Sequence, residues 1–396
     1  MSVSPQPIQP TIDPKSIQGL KYFSTLSDLL ARLRDVGTAR DKAGNRDLFF
    51  DQYVSLILLY FFNPTLTSMR GIQAASQLEK VQKALGCSKF SRGSFSEAGR
   101  VFDAECLKPI LSELAARLKP LAVAGRSREA ELLVGLTAVD GTLLPALPKM
   151  FWALWNYEHK RAAKLHLHFE VFSAAPVRAE ITAGQGCEKK SLRRMLEPGR
   201  FYVIDRGYEK FQLFQDIVDG GSSFVGSVRG QMTWTVLRER ELSEAARQAG
   251  VVFDAEVNLG SHKAEGVLTQ PYRVVIIERS STRPGEEKRL VLVTNRMDLD
   301  ADMIALAYRY RWQIELFFRW LKCILGCKHL LSTKQNGVAI QVYTALIASL
   351  LITLWTGRKP NKRTYEMLCL YYQGWATLDE LTAHLNQLNA AEKLAR

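Results

Sequence analysis

LLVGLTAVD, residues 132–140, is an apolar run that stops at a carboxylate. Its length and composition suit a buried strand. KLHLHFEVF (164–172) sets Leu165, Leu167, Phe169 and Val171 against Lys164, His166, His168 and Glu170, the period of two expected of a strand. VRAEITA (177–183) reads as a third strand and EKKSLRRML (188–196) as a basic helix. After a Pro198-Gly199 turn, RFYVID reads as a fourth strand ending at Asp205. A helix over 209–219 and a strand over 223–229 follow. Three strands, a helix, a strand, a helix and a strand predict an α/β domain.

Outward from this block the texture changes. Residues 1–15 are polar and Pro-rich and read as a disordered leader without the apolar run of a secretory signal. Residues 16–125 read as helical, with Leu26, Leu29, Leu30 and Leu33, then Val54, Ile57, Leu58, Phe61 and Phe62, at helical spacing. Within them, 88–104 holds a Gly- and Ser-rich break and a helix start at Ser94, with Glu97 three residues on. An ordinary helix–loop–helix is the plainer reading there, and a DNA-reading unit the alternative. Downstream, 230–289 is a mostly β insertion. The core resumes over 290–356 with the strand 289–295, a long helix from Asp302 to about Leu325 and an apolar helix over 340–355. A helical region over 357–396 ends the chain.

The chain has 396 residues, 47% hydrophobic and 23% charged, which is ordinary globular usage. That excludes a disordered, collagen-like or disulfide-scaffold protein. The net charge of +13 points to a polyanionic partner. Ten Lys and Arg against two acids lie between Ala301 and Arg363, so the excess sits late in the chain. The longest apolar run, Val342–Trp355, is shorter than the ~20 residues a membrane span needs. It reads as a core helix, and no membrane partner is expected. Six scattered cysteines without a CxxC pair fit a reducing cytoplasm. Cys323, Cys327 and His329 are a poor zinc set.

Asp140 and Asp205 both end apolar strands. If those strands are neighbours, their carboxylates converge on a divalent cation of the Mg²⁺ or Mn²⁺ kind. Gly141 and Gly207 are expected to let the chain turn and leave room beside it. Either Asp alone is as well explained as a turn residue. In YRYRWQIELFFRWLK, Tyr308, Arg311, Glu315 and Lys322 fall within a stripe of about 60° on a continuous helix. Glu315 is the one acid between Leu306 and Thr364. An i,i+4 salt bridge explains Arg311 with Glu315 but not the rest.

These residues resemble the DDE transposases of bacterial insertion sequences, family four. The Y-x2-R-x3-E-x6-K signature of that family is matched by Tyr308, Arg311, Glu315 and Lys322 with every interval intact. Its two Asp contexts are matched by Asp140-Gly141-Thr142 and by Asp205-Arg206-Gly207-Tyr208. The resemblance covers roughly residues 130–355. It implies a ribonuclease H-like catalytic core with a β-rich insertion, here between an α-helical N-terminal domain that binds DNA ends and a helical C-terminal tail. It implies Asp140, Asp205 and Glu315 as catalytic ligands of two Mg²⁺ or Mn²⁺ ions. Tyr308, Arg311 and Lys322, together with Arg206, Arg319 and Lys328, are the expected DNA contacts. Relatives hold a flipped base on an insertion-domain Trp, for which Trp234 is the candidate here. The implied activity is cleavage of transposon ends and joining to target DNA in a cut-and-paste reaction, for which the family also allows a hairpin intermediate. Double-stranded DNA is the implied partner, a homodimer the implied assembly and the bacterial cytosol the place. A nuclease without strand transfer, or a domesticated DNA-binding repressor, are the alternatives. His166 and His168 are expected to be structural or DNA-facing.

Overall fold

The computed structural model describes residues 24–34, 36, 47–121, 127–147, 149–155, 160–260, 266–278 and 289–394. The expected leader over 1–15 lies outside the described residues. Nine strands form one sheet: β1 (Leu136–Pro145), β2 (Ala162–Glu170), β3 (Ala175–Ala183), β4 (Phe201–Ile204), β5 (Ser223–Val228), β6 (Trp234–Glu239), β7 (Val251–Leu259), β8 (Tyr272–Glu278) and β9 (Arg289–Thr294). Their order is β3-β2-β1-β4-β5-β9-β8-β7-β6. β1, β4 and β5 are parallel to one another, and every other pairing is antiparallel. The β-rich segment 230–289 therefore continues the sheet through β8 and β9.

Seven helices precede the sheet: α1 (Ser24–Ala31), α2 (Phe50–Phe62), α3 (Met69–Ala75), α4 (Glu79–Leu85), α5 (Arg92–Val101), α6 (Leu107–Ala116) and α7 (Ser127–Leu132). Within the sheet lie α8 (Glu188–Arg194), α9 (Phe211–Asp219) and α10 (Glu244–Gln248). After it come α11 (Ala301–Arg309), α12 (Trp312–Arg319), α13 (Gln335–Thr356), α14 (Lys362–Tyr372) and α15 (Leu378–Leu394).

Strand periodicity sorts the side chains into two cores. Leu136, Ala138, Phe201 and Val203 face the larger core, with α2, α6, α12 and α13. Val139, Tyr202 and Ile204 face the other, with α8 and α9. Both faces of the central strands are covered, as parallel strands require. α13 is the one described helix long and apolar enough to cross a membrane, and 94% of its most apolar window is buried in the protein. Its hydroxyls are satisfied inside the helix: Thr344, Ser349, Thr353 and Thr356 each donate to the carbonyl four residues back. Near its start, Asn336 donates to the carbonyls of Gly99 and Phe102 and accepts from the Ala104 amide. Helices of the N-terminal region thus share a core with α13.

Arg273 on β8 is almost wholly buried. It grips Asp254 on β7 with two hydrogen bonds of 2.7 Å and donates to the carbonyls of Arg296 and Leu299. This ties the outer strands to the segment that leads into α11. Removing one partner leaves the other charge buried and unpaired, so Asp254→Ala is expected to cost about 3–5 kcal/mol. Denaturant midpoints of the variant and the parent chain measure it; a loss under about 1 kcal/mol would show that the pair does not hold the outer strands.

Candidate active site

β1 and β4 pair in parallel with Leu136 opposite Phe201 and Ala138 opposite Val203. Two residues further in that register, Asp140 stands beside Asp205. Asp140 was expected at the end of a strand, but it lies in the middle of β1. β2 pairs β1 as far as Pro145, whereas β4 stops at Ile204. Asp140 is thus at the end of the β1–β4 pairing, in that register one residue past the end of the shorter strand. Within β1 the Asp140 side chain shares the face of Ala138, and Arg311 reaches it there.

Asp205 begins a short 3₁₀ turn, and its Oδ1 accepts from the Gly207 amide at 2.8 Å. The Gly141 amide donates to Asp140 Oδ1 at 2.7 Å. Burial first, then the Asp205 and Glu188 carboxylates, push the Asp140 carboxyl up to about 7, against the Gly141 amide and Arg311, which lower it. Gly141 makes no turn, contrary to expectation. It is a strand residue on the α8 side, and a Cβ there would lie 2.8 Å from Glu188 Oε1.

The helix expected from Asp302 to Leu325 is interrupted. Between α11 and α12 the Arg311 amide bonds to the Tyr308 carbonyl and the Ile314 amide to the Arg311 carbonyl, so this turn is overwound. Tyr310 is drawn into the core, its hydroxyl on Glu129 and its ring against Phe172. Trp320–Ile324 then forms a π turn, closed by the Leu325 amide on the Trp320 carbonyl. The tight and wide turns offset each other in rotation, and Tyr308, Arg311 and Lys322 still meet the strands, while Glu315 is held by Arg311. The Tyr308 hydroxyl donates to Ser227 on β5 at 2.8 Å. Arg311 lies 2.5 Å from Glu315 Oε1 and 3.8 Å from Asp140 Oδ2, bridging the two acids. Lys322 Nζ donates to Thr142 Oγ1 on β1 at 2.9 Å.

Asp140, Asp205, Arg311 and Glu315 are therefore gathered at one end of the sheet, with Tyr308 and Lys322 beside them. Arg206 follows Asp205 directly in the 3₁₀ turn. Arg319, the last residue of α12, and Lys328, in the turn beyond Ile324, are exposed. Trp234 is not brought there. It starts β6, six strand steps from β1, or about 29 Å at 4.8 Å per step, and packs partly against the smaller core. Cys327 is buried and Cys323 exposed, so the two do not share a surface. Among the described residues no three His, Cys, Asp or Glu side chains stand ready to hold a metal ion. The acids are instead held by cations: Glu315 by Arg311, and Glu188 by Lys164 at 3.1 Å. The sequence reading missed Glu188, Lys164, Thr142 and Ser227. The one signal for Glu188 was an acid standing directly ahead of the basic run KKSLRR.

A mixed α/β sheet with paired acids at the tip of parallel strands, ringed by basic side chains, defines a carboxylate-centred enzyme class. The family model described as the transposase DDE domain matches residues 135–351, and the chain belongs to that family. It is 30% identical over 221 residues to transposase y4zB of Sinorhizobium fredii, covering 55% of this chain and 60% of that protein. It is 26% identical over 231 residues to a transposase for insertion sequence element IS5377 of Geobacillus stearothermophilus, covering 58% of each. Over 311 residues it is 25% identical to a transposase for insertion sequence element IS4SA of Synechocystis, covering 76% of this chain and 81% of that protein. The matches thus span about 60% of the length of the first two relatives. Among solved structures, a piggyBac transposase synaptic complex with hairpin DNA aligns at a TM-score of 0.43 and 12% identity over 96% of this chain and 82% of that one.

His166 and His168 are buried on β2, so they are not DNA-facing. His166 Nε2 shares a 2.8 Å hydrogen bond with Thr182 Oγ1, and His168 packs edge-on against Tyr202. Burial, then Arg200 and Arg178, push His168 down to about 3. Below pH 6.5 the unfolded chain takes up a proton that the folded chain refuses, so stability falls from there toward pH 3. His168 alone accounts for about 2 kcal/mol between pH 6.5 and 5. His168→Leu is expected to lose less stability than the parent over that interval. Equal losses in denaturant titrations at both pH values would refute the assignment.

Proposed function

We propose that this chain is a DNA transposase of the insertion-sequence family-four type, which cleaves transposon ends by metal-dependent phosphoryl transfer and joins them to target DNA. The observation that carries this reading is the in-register pair Asp140 and Asp205, with Glu315 brought to Asp140 by a single guanidinium. The strand order β3-β2-β1-β4-β5, with β1, β4 and β5 parallel, supports a ribonuclease H-like core, to which β6–β8 add an insertion before the core resumes at β9. The family and its insertion-sequence relatives support the activity.

Asp140, Asp205 and Glu315 are the residues that would hold two Mg²⁺ or Mn²⁺ ions. The donor set fits, since all three are hard oxygen donors. When bound, such ions activate the attacking oxygen and stabilise the leaving one. Arg311 is poised to exchange Glu315 for a DNA phosphate, which releases the carboxylate toward the centre. Lys322 reaches the same strand face from Thr142 and supplies a second positive charge to the phosphate backbone. Tyr308, held by Ser227, lies beside them. Water attack frees a 3′-OH at the transposon end, and that 3′-OH attacks either the opposite strand, giving a hairpin, or target DNA. The N-terminal helices bind the ends, and two copies of the chain bring two ends together.

Incubation with the ends of its own element and Mg²⁺, resolved on a denaturing gel, tests the reading. Nicked and then hairpin or joined products are expected; nicks alone would reduce the protein to a nuclease, and no product would sink the proposal. Asp205→Asn is expected to abolish cleavage and keep end binding. Lys322→Ala is expected to weaken end binding and to lower the slope of log affinity against log salt by about one phosphate contact; an unchanged slope would remove Lys322 from the DNA.

A further inference from the structure

Asp140 lies on the α12 side of β1, where Arg311 reaches it, but the opposite side of the same strand end holds another carboxylate. Glu188, the first residue of α8, lies over two glycines. A point built as a Cβ on Gly141 is 2.8 Å from Glu188 Oε1. A point built on Gly207 is 3.0 Å from Asp205 Oδ1 and 3.7 Å from Glu188 Oε2, so these two carboxylates face one small volume. Any side chain at 141 would displace Glu188. The negative charge of Glu188 is met by Lys164, which also donates to the Gly186 carbonyl. Both side chains of this pair are mostly buried, so it is a fixed feature of the site.

We propose that Glu188 is a fourth carboxylate of the divalent-cation centre, and that Lys164 is the counter-charge it keeps when no cation is bound. The inference rests on the reading of Asp140, Asp205 and Glu315 given above and extends it to the α8 side of the sheet. Lys164 competes with a cation for Glu188, so its removal should favour cation binding.

Mn²⁺ binding by the full chain, read as free Mn²⁺ by electron paramagnetic resonance, tests it, with melting in EDTA as the check on folding. Glu188→Gln is expected to weaken Mn²⁺ binding roughly tenfold or more. Lys164→Gln is expected to strengthen it, a gain that a merely structural pair would not give. Parental Mn²⁺ affinity in Glu188→Gln, alongside a loss in Asp140→Asn, would overturn the role of Glu188 and leave the other acids in place. Parental affinity in both variants would overturn the site itself. Should Glu188→Gln show no cooperative melt, Lys164→Gln decides: tighter Mn²⁺ binding supports the proposal, and unchanged or weaker binding overturns it.

Discussion

Two carboxylates in register at the end of a parallel strand pair repel each other, and the surroundings of Asp140 and Asp205 are organised around that repulsion. The strands are buried on both faces, so water screens the charges poorly. Burial, and after it the Asp205 and Glu188 carboxylates, displace the Asp140 carboxyl up to about 7. Backbone amides of Gly141 and Gly207 each donate to one of the acids. Arg311 reaches Asp140 from α12, and Lys164 neutralises Glu188 from β2. Such an arrangement has positive charge within reach from both sides of the sheet.

The catalytic candidates were legible because each belongs to a local pattern. A buried strand is a run of apolar residues, and the residue that ends the run is conspicuous when it is Asp. The interval from Tyr308 to Lys322 is likewise a local property of one segment. What was not legible depends on contacts distant in sequence. β1 continues past Asp140 because β2 pairs with it, not because of its own composition. Glu188 looked like the start of a basic surface helix until β1 and the turn after β4 were folded against it. The buried Arg273–Asp254 pair joins residues on separate strands, and each alone resembles an exposed charge of a polar strand face.

The broken helix shows how a sequence signature survives a wrong local geometry. Spacing on an ideal helix placed Tyr308, Arg311, Glu315 and Lys322 on one stripe. The backbone is instead overwound before α12 and underwound after it. Tyr310 accounts for the first departure, because burying its ring against Phe172 turns the chain away from the ideal path. The wide turn restores the direction of Lys322, which meets Thr142 two residues beyond Asp140 on the same face. Intervals in the signature therefore record distances to β1 and β5 and not a uniform helical pitch.

The division into a helical N-terminal domain and a separate core also changes meaning once α13 is seen. α13 is buried nearly all round, so it needs partners on every side. The sheet covers one side through β3, and α2, α5 and α6 cover the other. Gly99 and Gly337 permit the closest approach: a Cβ on Gly99 would sit 3.3 Å from the Gly337 Cα. Asn336 then satisfies backbone groups of the N-terminal region that would otherwise be buried without partners. The region read as end-binding and the helix that follows the catalytic segment are thus built on one hydrophobic core. Removing the N-terminal helices would strip apolar surface from α13 and disturb the segment carrying Glu315 along with any DNA-binding surface, so the two roles are separable by point substitution and not by truncation.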